Sequence, residues 1–184
     1  MNAKRTLLFF CATVFLSSPV FLFAAGTGNL YPLFHDKSVK IYVADVTDAT
    51  KEHESDAKLI KSKIEEALKN RKSIQFEIVQ DPAAAELLVT ANVTEFYWTD
   101  HDPVDMLMGA AATAYDIATV EDYARLQAAI SVTDAKSKKE LWKDEHLVAT
   151  VTKKPMPKNE SVPLVSAELA KVFIRDCFSK SRSK

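Results

Sequence analysis

Glycine is scarce. The chain of 184 residues holds three, Gly26, Gly28 and Gly109. No phosphate-cradling glycine loop can be assembled from them, and collagen-like repeats are excluded. Cysteine is scarcer still. Cys11 and Cys177 cannot build a disulfide scaffold. Neither sign of charge dominates: 24 basic and 25 acidic side chains leave a formal net charge of −1. That balance argues against nucleic acid as a partner. Glycine and proline are too few for a low-complexity or wholly disordered chain, and 47% of the residues are hydrophobic. The G-x-S-x-G and H-E-x-x-H signatures are missing. Glu65 and Glu66 adjoin on a predicted helix and point to different sides, a poor acid–base pair. These absences together predict a protein that is not an enzyme and carries no cofactor.

What is present begins with an export pattern. Lys4 and Arg5 precede an apolar stretch from Thr6 to Phe23, and Ala24, Ala25 and Gly26 are small. Residues 1–26 therefore read as a signal peptide cut after Ala25 or Gly26. The alternative is an inner-membrane anchor, because residues 6–25 are long enough to cross a bilayer. Cys11 follows Leu8-Phe9-Phe10 in the middle of that stretch, which is no lipidation site. The predicted location is periplasmic or secreted. Cleavage would leave Cys177 as the one cysteine, on the apolar side of a predicted helix and so buried.

The rest reads as a single α+β domain over residues 39–180, after a leader at 27–38. Val39 to Val46 is a β-branched strand. Ala57, Ile60, Ile64, Ala67 and Leu68 then fall at helical spacing, with Lys61, Glu65 and Lys69 four apart outside. Asn70 and Arg71 end that helix, and Ser73 to Val79 alternates as a strand. Asp81 caps a short turn that begins at Pro82. Leu87, Val89, Ala91 and Val93 define a strand running to Trp98. Arg125–Thr133 and Glu140–Thr152 form a hairpin about a polar turn. A last helix, capped by Ser161, carries Val165, Leu169, Val172, Phe173 and Cys177 on one side. The order is β-α-β-β-(helical insert)-β-β-α, the later strands joined mainly by hairpin-like connections. The fold class is a two-layer sandwich, a mixed sheet with two long helices on one face.

Three stretches carry a resemblance: Val43-Ala44-Asp45-Val46 before a polar loop and helix, Ala84 to Val93, and Ser131 to Trp142. The pattern resembles small bacterial envelope proteins of the type that includes the penicillin-binding-protein activator LpoB, the N-terminal domain of TolB and the curli secretion lipoprotein CsgG. It is similar, more loosely, to the lipopolysaccharide-assembly lipoprotein LptE. Members commonly run D-x-x-T-G-x-x-x-W at the hairpin, where this chain has Asp134 to Trp142 without the glycine. The resemblance covers roughly residues 39–152. It implies a non-catalytic fold that binds or helps assemble envelope components, and it carries over no functional residue.

Candidate site residues lie around the apolar helical insert at 103–120. Met106, Leu107, Met108, Gly109, Ala112 and Tyr115 belong to an uncharged run of small and apolar side chains. Ten such residues are too short to cross a bilayer. They suit either packing on the sheet or docking on a partner's groove or, peripherally, on a membrane surface. Phe96 and Trp98 end the preceding strand on the side opposite Tyr97, as core filling or as an aromatic pocket. Asp100, His101, Asp102 and Asp105 could coordinate a divalent cation. They read equally as a solvated loop in which Asp102 caps the next helix. The predicted function is an exported binding and assembly module for a protein or envelope partner. A small-ligand or divalent-metal carrier and a membrane-anchored protein are the alternatives.

Overall fold

The computed structural model describes residues 28–50, 54–98, 122–153 and 156–180. The elements are α1 (Tyr31–Phe34), β1 (Ser38–Val43), β2 (Thr47–Asp48), α2 (Glu54–Lys69), β3 (Gln75–Ile78), a 3-10 turn (Pro82–Ala84), β4 (Leu87–Trp98), β5 (Tyr123–Asp134), β6 (Glu140–Thr152) and α3 (Lys158–Phe178). The fold is α+β, a mixed sheet of six strands with two long helices, as the periodicities require. The signal-peptide reading of residues 1–26 lies outside the described residues.

The sheet order is β3-β1-β4-β5-β6, with β2 beside β4. β1 pairs in parallel with β3 and with β4, while β4–β5 and β5–β6 are antiparallel. One connection differs from the expected hairpin-like joins. Ile78 and Leu87 flank Ile41 from opposite sides, so residues 79–86 step across β1 and β4 runs on parallel to β3. The step is held by backbone bonds from Val79 to the Ile41 carbonyl and from Glu86 to the Lys40 carbonyl, 3.0 and 2.8 Å. The Asp81 carboxylate accepts from the Ala83 N–H, so it does cap the 3-10 turn.

Alternation sends Val39, Ile41, Val43, Leu87, Val89, Ala91, Val93, Leu126, Ala128, Ile130 and Val132 to one buried side. Ile60, Ile64 and Leu68 of α2 and Val165, Leu169, Phe173 and Cys177 of α3 cover them. Each valine, leucine, isoleucine or phenylalanine among them contributes roughly 1.5–3 kcal/mol by leaving water. Trp142, Phe173, Phe178 and Phe76 form a chain of ring contacts across this layer, with centroids 4.9–5.8 Å apart. On the other side of the sheet Thr90 and Ser131 share a hydroxyl bond of 2.8 Å, and Thr47 donates to Asn92 at 2.9 Å.

Three local expectations change. The last helix begins at Lys158 after Pro157, not at Ser161. Ser161 is buried within it, and its N–H donates to the Pro157 carbonyl. Lys153 pairs with Glu160, which ties this earlier turn to the end of β6. Lys61 pairs with Asp45 at 2.7 Å, reaching the β1 end of the sheet instead of Glu65 along its own helix. Within the 27–38 leader, Leu30 is buried and its N–H donates to the Cys177 carbonyl at 2.7 Å. The Asn29 amide donates to the Asp176 carbonyl at 3.1 Å, so this segment satisfies the carbonyls at the end of α3.

Candidate functional site at the root of the 99–121 segment

β4 and β5 pair directly from Leu87 opposite Asp134 to Trp98 opposite Ala124. Residues 99–121 therefore connect two adjacent strand ends. Met106, Leu107, Met108, Gly109, Ala112 and Tyr115 lie outside the described residues. So do Asp100, His101, Asp102 and Asp105.

The register shifts between Val93 and Glu95. Strict alternation from Leu87 would put Phe96 and Trp98 on the face of Leu88 and Thr90, away from the helices. The bulge inserts one residue and reverses this. Phe96 then sits opposite buried Leu126, and Trp98 opposite buried Ala124. Both are half-buried and pack against the core. Tyr97 turns to the other face, 47% exposed, with its ring 5.5 Å from that of Tyr123. The sequence shows that Phe96 and Trp98 oppose Tyr97, but it does not reveal the bulge that decides which face each takes.

The polar contacts of this root are not apparent in the sequence. The Trp98 indole N–H donates to the Met156 carbonyl at 2.9 Å. The Met156 N–H donates to the Asp122 carboxylate at 3.0 Å. Asp122 is 5% exposed, and its carbonyl accepts from the Lys153 N–H at 3.2 Å. One strand end, the other strand end and the approach to α3 are thereby joined at Met156, itself fully buried.

The remaining chemistry is sparse. Among the described residues, no three His, Cys, Asp or Glu side chains gather where they could hold a metal ion. Cys177 is free and buried, as its place on the helix stripe predicts. Burial, aided by Asp176, pushes its thiol far above the ordinary range, so it is no nucleophile. His35 pairs with Asp36 at 2.7 Å, and His146 meets Gln127 at 3.2 Å, both at the surface. No helix among the described residues is long and apolar enough to cross a membrane.

No protein-family model and no curated protein matches the chain. Solved structures do. PelC from Paraburkholderia phytofirmans, solved as a dodecamer, shares the fold at 14% identity. It covers 77% of this chain and 90% of its own, with a TM-score of 0.50. A Xanthomonas campestris protein of the DUF330 family matches at 8% identity over 77% and 83% of the two chains, also with a TM-score of 0.50. A Neisseria meningitidis lipoprotein is a fainter neighbour, at 10% identity over 73% and 97%, with a TM-score of 0.41. The chain is thus similar in fold to PelC and to the Xanthomonas protein.

Proposed function

We propose that the protein is an exported, non-catalytic component of the bacterial cell envelope, periplasmic or secreted. It acts as a binding and assembly module on a protein or envelope partner. The observation that carries this reading is the direct pairing of Trp98 with Ala124. The strand pair is complete without residues 99–121, so the uncharged, methionine-containing run at 106–115 is not needed to close it. The strand ends that flank it are joined through Trp98, Asp122 and Met156. A segment dispensable for pairing and carried between two joined strand ends suits a working surface built on a rigid scaffold. Met106, Leu107, Met108, Gly109, Ala112 and Tyr115 would supply its apolar contacts, and Phe96 and Trp98 its footing.

The resemblance to the LpoB, TolB and CsgG group supports an envelope role of this kind. PelC assembles as a dodecamer, and self-assembly of this chain is one form the module's work would take.

The test replaces residues 99–121 with an Asn-Gly turn joining the two strands. The shortened protein should keep its cooperative unfolding and lose capture of its envelope partner in crosslinking from intact cells. Charged substitutions at Met108 and Ala112 should have the same effect. Undiminished crosslinking by folded variants would remove the segment from the binding surface.

A further inference from the structure

A groove of about 450 Å³ runs between α2 and α3 on the side of the helices away from the sheet. Ala67, Ala167 and Ile174 contribute its apolar floor, and Lys63, Arg71, Lys171 and Arg175 its cations. Glu66 is the one carboxylate in the lining. The volume is in the range of ordinary ligand clefts.

Three of the four cations pair with neighbours on their own helix. Lys63 meets Glu66 at 2.8 Å, Lys171 meets Glu168 at 3.0 Å, and Arg175 meets Asp176 at 2.7 Å. Exposed pairs of this kind hold weakly and exchange readily for an incoming carboxylate. Arg71 differs. Its Nη2 donates to the Phe178 carbonyl at 3.3 Å, while its Nε is buried without a hydrogen-bond partner among the described residues. A buried guanidinium N–H left unused is costly, and a carboxylate is its natural complement. Cations in a last helical turn also offset the helix dipole. Lys63 and Lys171 lie more than a turn before the ends of α2 and α3, so that role does not account for them.

We infer that this groove is a docking site for an acidic segment of a partner protein, with carboxylates against Arg71, Lys171 and Arg175 and small apolar side chains over Ala67 and Ala167. The inference rests on the binding-module reading but places a contact on the face opposite the sheet. It does not depend on residues 99–121.

The probe is a fluorescein-labelled peptide of alternating glutamate and leucine, titrated into the full protein and followed by anisotropy. Lys171 and Arg175 side chains are 71% and 66% exposed, so their replacement leaves the fold intact. The double variant Lys171→Glu, Arg175→Gln should bind at least tenfold more weakly. Arg71→Gln should weaken binding several-fold. The control Lys136→Glu, Lys139→Gln makes the same change in net charge at the distant β5–β6 hairpin and should bind as the unaltered protein does. Equal weakening in the control, or no binding at all, overturns the docking site. Loss of self-association in this Lys171→Glu, Arg175→Gln variant would make the occupant a second copy and overturn it also. Each of these failures leaves the test on residues 99–121 standing, so the two readings fail separately.

Discussion

Trp98 and Asp122, on either side of the 99–121 segment, grip one and the same residue. The indole takes the Met156 carbonyl at 2.9 Å and the carboxylate takes the Met156 N–H at 3.0 Å. Trp98→Phe keeps most of the ring volume but leaves the Met156 carbonyl without this donor. Asp122→Ala strands the N–H and removes a buried, charge-assisted bond. Losses of about 1–2 and about 2–3 kcal/mol are expected in urea unfolding. Because both substitutions loosen the same residue, Met156, the double variant should lose less than the two singles together.

The β5–β6 hairpin holds Lys138 at φ 58°, in the left-handed region. The turn contains no glycine, so a residue with a Cβ holds this conformation. A side chain with a Cβ pays about 1–2 kcal/mol there. Lys138→Gly should raise stability by roughly 1 kcal/mol, after the loss of chain stiffness is allowed for. Lys138→Val should lower it. Denaturation midpoints of the two variants give the check.

The same turn has a pH dependence. The Ser137 backbone N–H at 2.6 Å, with smaller help from the Ser137 hydroxyl and the Lys136 N–H, holds the Asp134 carboxyl below its ordinary range against a raising effect of burial. A depressed carboxylate stabilises the fold above its unfolded value of about 3.9, and that contribution fades as pH falls through the lower folded value. Asp134→Ala should therefore cost stability at pH 7, and the gap to the unaltered protein should narrow below about pH 4. Urea unfolding at both pH values measures it.

Cys177 should resist chemistry while the protein is folded. Burial pushes its thiol up, so the folded state keeps the proton long after the unfolded chain, with a value of about 8.5, has lost it. Stability linked to this group is full below that value and falls as pH rises above it. Iodoacetamide at pH 8 should leave Cys177 unmodified in native protein and alkylate it in denaturant, as peptide mass mapping will show. Rapid labelling in the native state would contradict the burial.

Phe173 is the junction of the aromatic chain, fully buried against Trp142 and Phe178. Phe173→Ala should cost about 3–5 kcal/mol through lost burial and the cavity left behind. Thermal melts and near-ultraviolet circular dichroism should both register it.

The sequence by itself determined the elements and the layers. Val39, Ile41 and Val43 alternate with a period of two, and Ile60, Ile64 and Leu68 recur every four residues. Both periods put apolar side chains on one side, and two such surfaces must meet to leave water. The buried place of Cys177 follows from the same local spacing. Only the tertiary structure decided what depends on partners distant in the chain. The step of residues 79–86 across β1 is set by bonds to Lys40 and Ile41. The bulge after Val93 depends on how β4 meets β5, and it alone turns Phe96 and Trp98 toward the helices. Met156 becomes a junction because Trp98 and Asp122 arrive beside it from 58 and 34 residues away. The groove between α2 and α3 exists because Arg71 and Lys171, remote in sequence, are brought side by side when both helices settle on one sheet. Periodicity is a local property of the chain, whereas a shared hydrogen-bond partner or a groove belongs to no single segment.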